Sequence, residues 1–148
     1  EDVRSTVRSE DQGGGLSVEE MGEYLCKKNI KHTTLFLDMK DKNQFPENTL
    51  CSIIRNKNIA IIFFDSSSLE ENKNYEQKIR IGRPYEGGGP HASVLMGCVE
   101  VGGELFFELY DPAGKKGRDY FVKADNLIKA MEDYWNPSWV FEIYRNQD

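Results

Sequence analysis

Histidine is nearly absent from this chain: 148 residues contain two, His32 and His91. Cysteine is almost as scarce, with Cys26, Cys51 and Cys98. So few nitrogen and sulfur ligands, none at paired spacing, leave no zinc site. No residue pattern calls for another metal or for a cofactor. An odd cysteine count predicts free thiols in a reducing compartment. The expected location is therefore cytoplasmic, or a host cytosol into which the protein is delivered as an effector. No apolar run approaches the ~20 residues of a membrane helix. The charged first residues predict no signal peptide. Positive charge is the minority: 19 Lys and Arg against 25 Asp and Glu give a net charge of −6. That balance argues against nucleic acid or an anionic membrane as the main partner.

What remains is an ordinary globular balance, 39% hydrophobic and 30% charged, over a length that fits one domain with a real core. Residues 1–15 have almost no large apolar side chains and read as a flexible lead-in to a single domain over 16–148. Helix 17–29 opens on a capping box, Ser17 with Glu20, with Leu16 placed to staple Met21. Its apolar stripe is Val18, Met21, Leu25 and Ile30. Lys31–Asp38 reads as a strand. Pro46 suits the first turn of a second helix whose inner face carries Leu50, Ile53 and Ile54. The run Asn58–Phe64 predicts a strand buried on both faces. Ser66–Glu76 is polar and reads as a mobile loop, and Lys78–Ile81 as a short strand. Arg118–Val122 predicts a strand. Residues 124–135 predict a helix with Leu127, Ile128, Met131 and Trp135 on its core side, and Trp139–Tyr144 a closing strand. Trp135 and Trp139 are expected at the core edge, Lys115 and Lys116 in a solvated turn. The fold class is α+β, helices packed on a mostly antiparallel twisted sheet.

The chain is organised around Gly87–Gly114. His91–Val99 and Glu104–Tyr110 read as two arms of a hairpin, with Gly102-Gly103 supplying the positive φ of a tight turn. In an antiparallel pair the start of one arm lies beside the end of the other. His91 and Asp111 are therefore expected side by side. An imidazole oriented by a carboxylate is two-thirds of a nucleophile–base–orienter triad. The glycines before His91, Gly88 and Gly89, with Pro90, would let an extended peptide approach the backbone closely. The neighbouring Tyr85 stretch could form a mobile lip.

In order along the chain stand GGLSVEEMGEYLCKKNI, LCSIIRNKNIAIIFF, GGPHASVLMG and FFELYDPAG, followed by a short strand, a helix and a final strand. This succession resembles the C-terminal two-thirds of a papain-like cysteine peptidase, and among these the bacteriocin-leader-processing group, over roughly residues 14–145. The resemblance implies a papain-like fold and a Cys–His–Asp triad in which His91 is the general base and Asp111 orients it.

The family places its nucleophilic cysteine at the N-terminus of an early helix, where the dipole favours the thiolate. None of the three cysteines fits. Cys26 falls in a last helical turn, Cys51 inside a helix, and Cys98 seven residues from His91, which strict alternation puts on the opposite face. Each reads as a small buried hydrophobe. Ser17 begins a helix, and Gln12 lies five residues before it as the family's oxyanion glutamine would. Capping already explains Ser17, however. The catalytic helix is expected upstream of residue 1, or lost.

Four readings follow. One is a cysteine hydrolase of peptidase, isopeptidase or glutamine-deamidase type. A second is an inactive papain-like domain that binds a peptide or protein. A third is a transglutaminase-like fold, and the fourth an acidic interaction domain in which His91 and Asp111 are incidental.

Overall fold

The computed structural model describes residues 17–71, 81–83, 88–111 and 118–145. The lead-in, Leu16, Gln12, Tyr85, Lys115 and Lys116, and most of the expected strand at Lys78–Ile81 lie outside the described residues. So does the loop's end, 72–76. The element order is α1 (Val18–Lys27), β1 (His32–Leu37), α2 (Pro46–Arg55), β2 (Ile59–Asp65), β3 (Pro90–Val101), β4 (Glu104–Asp111), β5 (Arg118–Lys123), α3 (Ala124–Tyr134) and β6 (Ser138–Ile143). The six strands form one sheet in the order β1-β6-β2-β3-β4-β5, each neighbouring pair antiparallel. The α+β class expected from the sequence is observed.

Helices cover both faces of this sheet. On one face, Leu50 and Ile53 of α2 and Leu127, Ala130 and Met131 of α3 pack against Ala60, Ile62, Phe64, Leu95, Phe107, Leu109 and Tyr120. On the other, Val18 and Leu25 of α1 pack against Phe63 and Phe141. Strand β2 contributes to both clusters, which is why its sequence is almost unbroken Ile and Phe. The capping box at Ser17 forms as the residue spacing requires: Ser17 Oγ accepts from the Glu20 amide and Glu20 Oε1 from the Ser17 amide, both at 3.1 Å.

Two local expectations fail. Trp135 is 63% exposed. The helix ends at Tyr134, and Trp135 takes an extended backbone (φ −165°) that removes it from the inner stripe. Ser66–Ser68 is a 3-10 turn rather than loose loop. Asn126 ties it to α3, donating from Nδ2 to the Ser68 carbonyl at 2.9 Å and accepting the Glu70 amide at 3.0 Å. Ser68 Oγ donates to Asp133 at 2.6 Å, and Leu69 is buried beneath.

The hairpin carries one irregularity with large consequences. Gly102 and Gly103 adopt φ of +60° and +80°, as a two-residue turn between right-handed strands demands. From Val101↔Glu104 to Gly97↔Glu108 the two arms pair in one register, and from Leu95↔Leu109 onward they are shifted by one residue. Met96 is the extra residue of this bulge. At Gly97 an added Cβ would sit 2.7 Å from the Glu108 Oε1 and 3.0 Å from its Cβ, so the Glu108 side chain packs over the glycine and would have to shift to admit another. A bulge inverts the facing of everything beyond it.

Burial, with the Asp119 carboxylate beside it, raises the Glu108 carboxyl above its ordinary value. A raised carboxyl contributes stability below the unfolded value, ~4.3, and loses it as pH rises through the higher folded value. Glu108→Gln is therefore expected to be more stable than the natural chain at neutral pH, by a few tenths of a kcal/mol. The gain should vanish below about pH 4. Urea unfolding at several pH values checks it, and an unchanged difference across the range would refute it.

Candidate functional site

His91 is the second residue of β3, and Asp111 the last of β4. His91 Nε2 lies 3.0 Å from Asp111 Oδ2. The side chains are 29% and 10% exposed respectively, so the imidazole reaches solvent while the carboxylate is held behind it. The Phe64 ring stands edge-on to the imidazole at 5.5 Å between centroids and supplies an apolar floor.

The juxtaposition depends on the bulge. Counting back from the turn in unbroken register pairs Val94 with Asp111, which puts His91 on the opposite face. The extra residue at Met96 pairs Val94 with Tyr110 instead, so His91, Ser93 and Asp111 share the face covered by α2 and α3. Sequence reasoning placed His91 beside Asp111 correctly but supplied no mechanism for their common facing.

Two partners of the carboxylate were not anticipated. Ser93 Oγ donates to Asp111 Oδ1 at 2.5 Å, and Tyr120 Oη lies 3.3 Å from the same oxygen. Both hydroxyl-bearing residues are buried, Tyr120 completely. Ser93 was accessible to sequence reasoning, since it stands two residues beyond His91 and alternation gives it the same face. Tyr120 carries no motif, and only the pairing Leu109↔Tyr120 brings it in.

The glycines before His91 pack onto the 3-10 turn. The Gly89 carbonyl accepts the Ser66 amide at 2.9 Å and the Ser66 hydroxyl at 3.0 Å. An added Cβ at Gly88 would lie 2.5 Å from the Ser67 Cβ. Gly89 takes φ +116° and has nothing within 4 Å where a Cβ would point. Pro90 pairs with Asp65 and is exposed. Gly88 is thus required for the close approach to Ser67, while Gly89 keeps an open side next to His91.

The cysteines lie elsewhere. Cys51 of α2 and Cys98 of β3 form a disulfide, with Cα atoms 5.7 Å apart. This overturns the expectation of free thiols for that pair and removes the argument from free thiols to a reducing compartment. It also corrects the facing of Cys98. Cys98 pairs with Phe107 on the α2 face, and the bulge puts His91 on that face too. Cys26 is the free thiol, and it is exposed rather than buried. Its helix packs on the face opposite the imidazole, as does Ser17 at that helix's start.

Among the described residues no group of three or more His, Cys, Asp and Glu is placed to hold a metal ion. Nor is any described helix long and apolar enough to cross a membrane. No protein-family model matches the chain, and no curated protein or solved structure matches it either.

With the carboxylate on Nε2, a neutral ring that donates to it carries its basic lone pair on Nδ1. The arrangement can accept a proton from a nucleophile brought to that side and hold the resulting imidazolium against Asp111.

Proposed function

We propose that His91 and Asp111 are the base and orienter of a papain-like cysteine hydrolase, acting on a peptide, isopeptide or glutamine amide. The observation that carries this reading is the 3.0 Å contact between Nε2 and a carboxylate whose other oxygen lies within reach of the Ser93 and Tyr120 hydroxyls. Acyl transfer needs a base whose tautomer is set in advance. This reading requires a thiol supplied from outside residues 1–148, because Cys51 and Cys98 are bonded to each other and Cys26 is on the far side of the sheet. The substrate chain runs past Gly88, Gly89 and Pro90, where the open side of Gly89 gives room for an extended backbone.

The test is alkylation of the full-length protein with iodoacetamide, followed by mapping of the modified cysteines. One cysteine outside residues 1–148 should react fastest, and His91→Ala should slow it by about a hundredfold or more. If no cysteine depends on His91 for its reactivity, the hydrolase reading fails.

The same placement of thiols favours a second reading, a papain-like domain without a nucleophile that binds peptide or protein. In that case His91→Ala leaves all thiol reactivity unchanged, and added extended peptides shift the amide resonances of Gly88, Gly89 and His91 selectively.

A further inference from the structure

Asp111 has two carboxylate oxygens, and the structure divides them between two kinds of partner. Oδ2 faces His91 Nε2. Oδ1 receives the hydroxyls of Ser93 at 2.5 Å and Tyr120 at 3.3 Å. Each hydroxyl has one proton to give. Ser93 Oγ also lies 3.1 Å from the Tyr110 carbonyl, but the carboxylate is nearer and charged, so the proton goes there. Tyr120 Oη is 3.5 Å from Ser93 Oγ and again closer to the carboxylate. Oδ1 therefore has two hydroxyl donors within reach, Ser93 at 2.5 Å and Tyr120 at 3.3 Å. Asp111 is the last residue of β4, and a carboxylate at a strand end can otherwise turn about its terminal torsion.

We propose that Ser93 and Tyr120 are positioning residues. Together they fix the Asp111 carboxylate so that one oxygen is reserved for His91 Nε2 and the imidazole is held in a single tautomer and orientation. Their action on the ring is indirect, through Asp111. What the imidazole is then used for rests on the hydrolase reading; the clamp itself does not.

A purely structural alternative is that the two buried hydroxyls sit on Asp111 only because they need a partner. The two roles separate in the signature of the ring. The readout is the His91 Nε2–H resonance and its exchange with solvent, followed by nitrogen–proton NMR in the protein. Ser93→Ala and Tyr120→Phe should each leave one donor on Oδ1 and speed the exchange modestly. The double variant should speed it by about tenfold or more and mix the tautomers. Ser93→Thr keeps the hydroxyl and should restore the natural signature. Circular dichroism melts establish that each variant is folded at the temperature of measurement. A folded double variant with the natural tautomer and exchange rate would overturn the proposal. Should the double variant fail to fold, the two single variants decide it: exchange unchanged in both overturns the clamp. Iodoacetamide labelling of the full-length protein tests the hydrolase reading separately, so a clamp that is confirmed while labelling shows no His91 dependence would sink that reading alone.

Discussion

Asp111→Ala is expected to cost about 2–4 kcal/mol of stability and to slow any His91-dependent acyl transfer by about 10²- to 10⁴-fold. The stability loss comes from three donors that share one buried acceptor. Ser93 and Tyr120 are buried side chains, and each loses the charged oxygen it points to. His91 loses its Nε2 partner as well. The chemical loss has a different origin: an imidazole without its carboxylate is neither held in one tautomer nor stabilised once protonated. Urea unfolding reads the first quantity, and alkylation kinetics of the full-length protein read the second. A cost below about 1 kcal/mol together with unchanged alkylation would mean that the carboxylate is incidental.

Reduction of the Cys51–Cys98 bond is expected to have an effect of similar size by an unrelated route. The bond closes a loop across 47 positions and ties α2 to β3. Constraining a loop of that length in the unfolded chain is worth about 4 kcal/mol. For a chain of this size that corresponds to a fall of roughly 10–15 °C in Tm. Adding dithiothreitol should produce this fall in the natural chain and none in the Cys51→Ala/Cys98→Ala double variant, which should already melt at the lower temperature. Thiol titration of the unreduced, denatured protein should find one reactive thiol, Cys26, among the three cysteines. Three titratable thiols and a Tm indifferent to reductant would contradict the pairing.

Much of the fold was legible because local signals agreed with one another. Ser17 and Glu20 announce a helix start, Pro46 another, and Gly102-Gly103 a hairpin turn; each does what its residue type dictates. The unbroken apolar run of β2 correctly implied burial on both faces. What stayed hidden depends on long-range register. A bulge has no sequence signature beyond a glycine, and Gly97 is one of thirteen. Yet that single extra residue decides that His91 meets Asp111 and that Cys98 shares their face. The disulfide was missed for a related reason. Its partners lie on a helix and a strand whose contact follows from tertiary packing, and an alternation count that ignored the bulge set Cys98 apart from His91. Tyr120 was invisible because it joins the site only through strand order. Trp135 looked like a core residue by helical spacing, but the helix stops one residue short of it. The polar Ser66–Ser68 segment looked mobile because its partners, Asn126 and Asp133, are on a helix about sixty residues away.

The central claim is that His91 is set up as a base, with Asp111 on Nε2 and proton transfer at Nδ1. The most direct test is the nitrogen NMR spectrum of the His91 ring at a pH where it is neutral. A single tautomer with the proton on Nε2 is expected in the natural chain, and loss of that preference in Asp111→Ala. A proton on Nδ1, or equal averaging of the two tautomers in the natural chain, would contradict it.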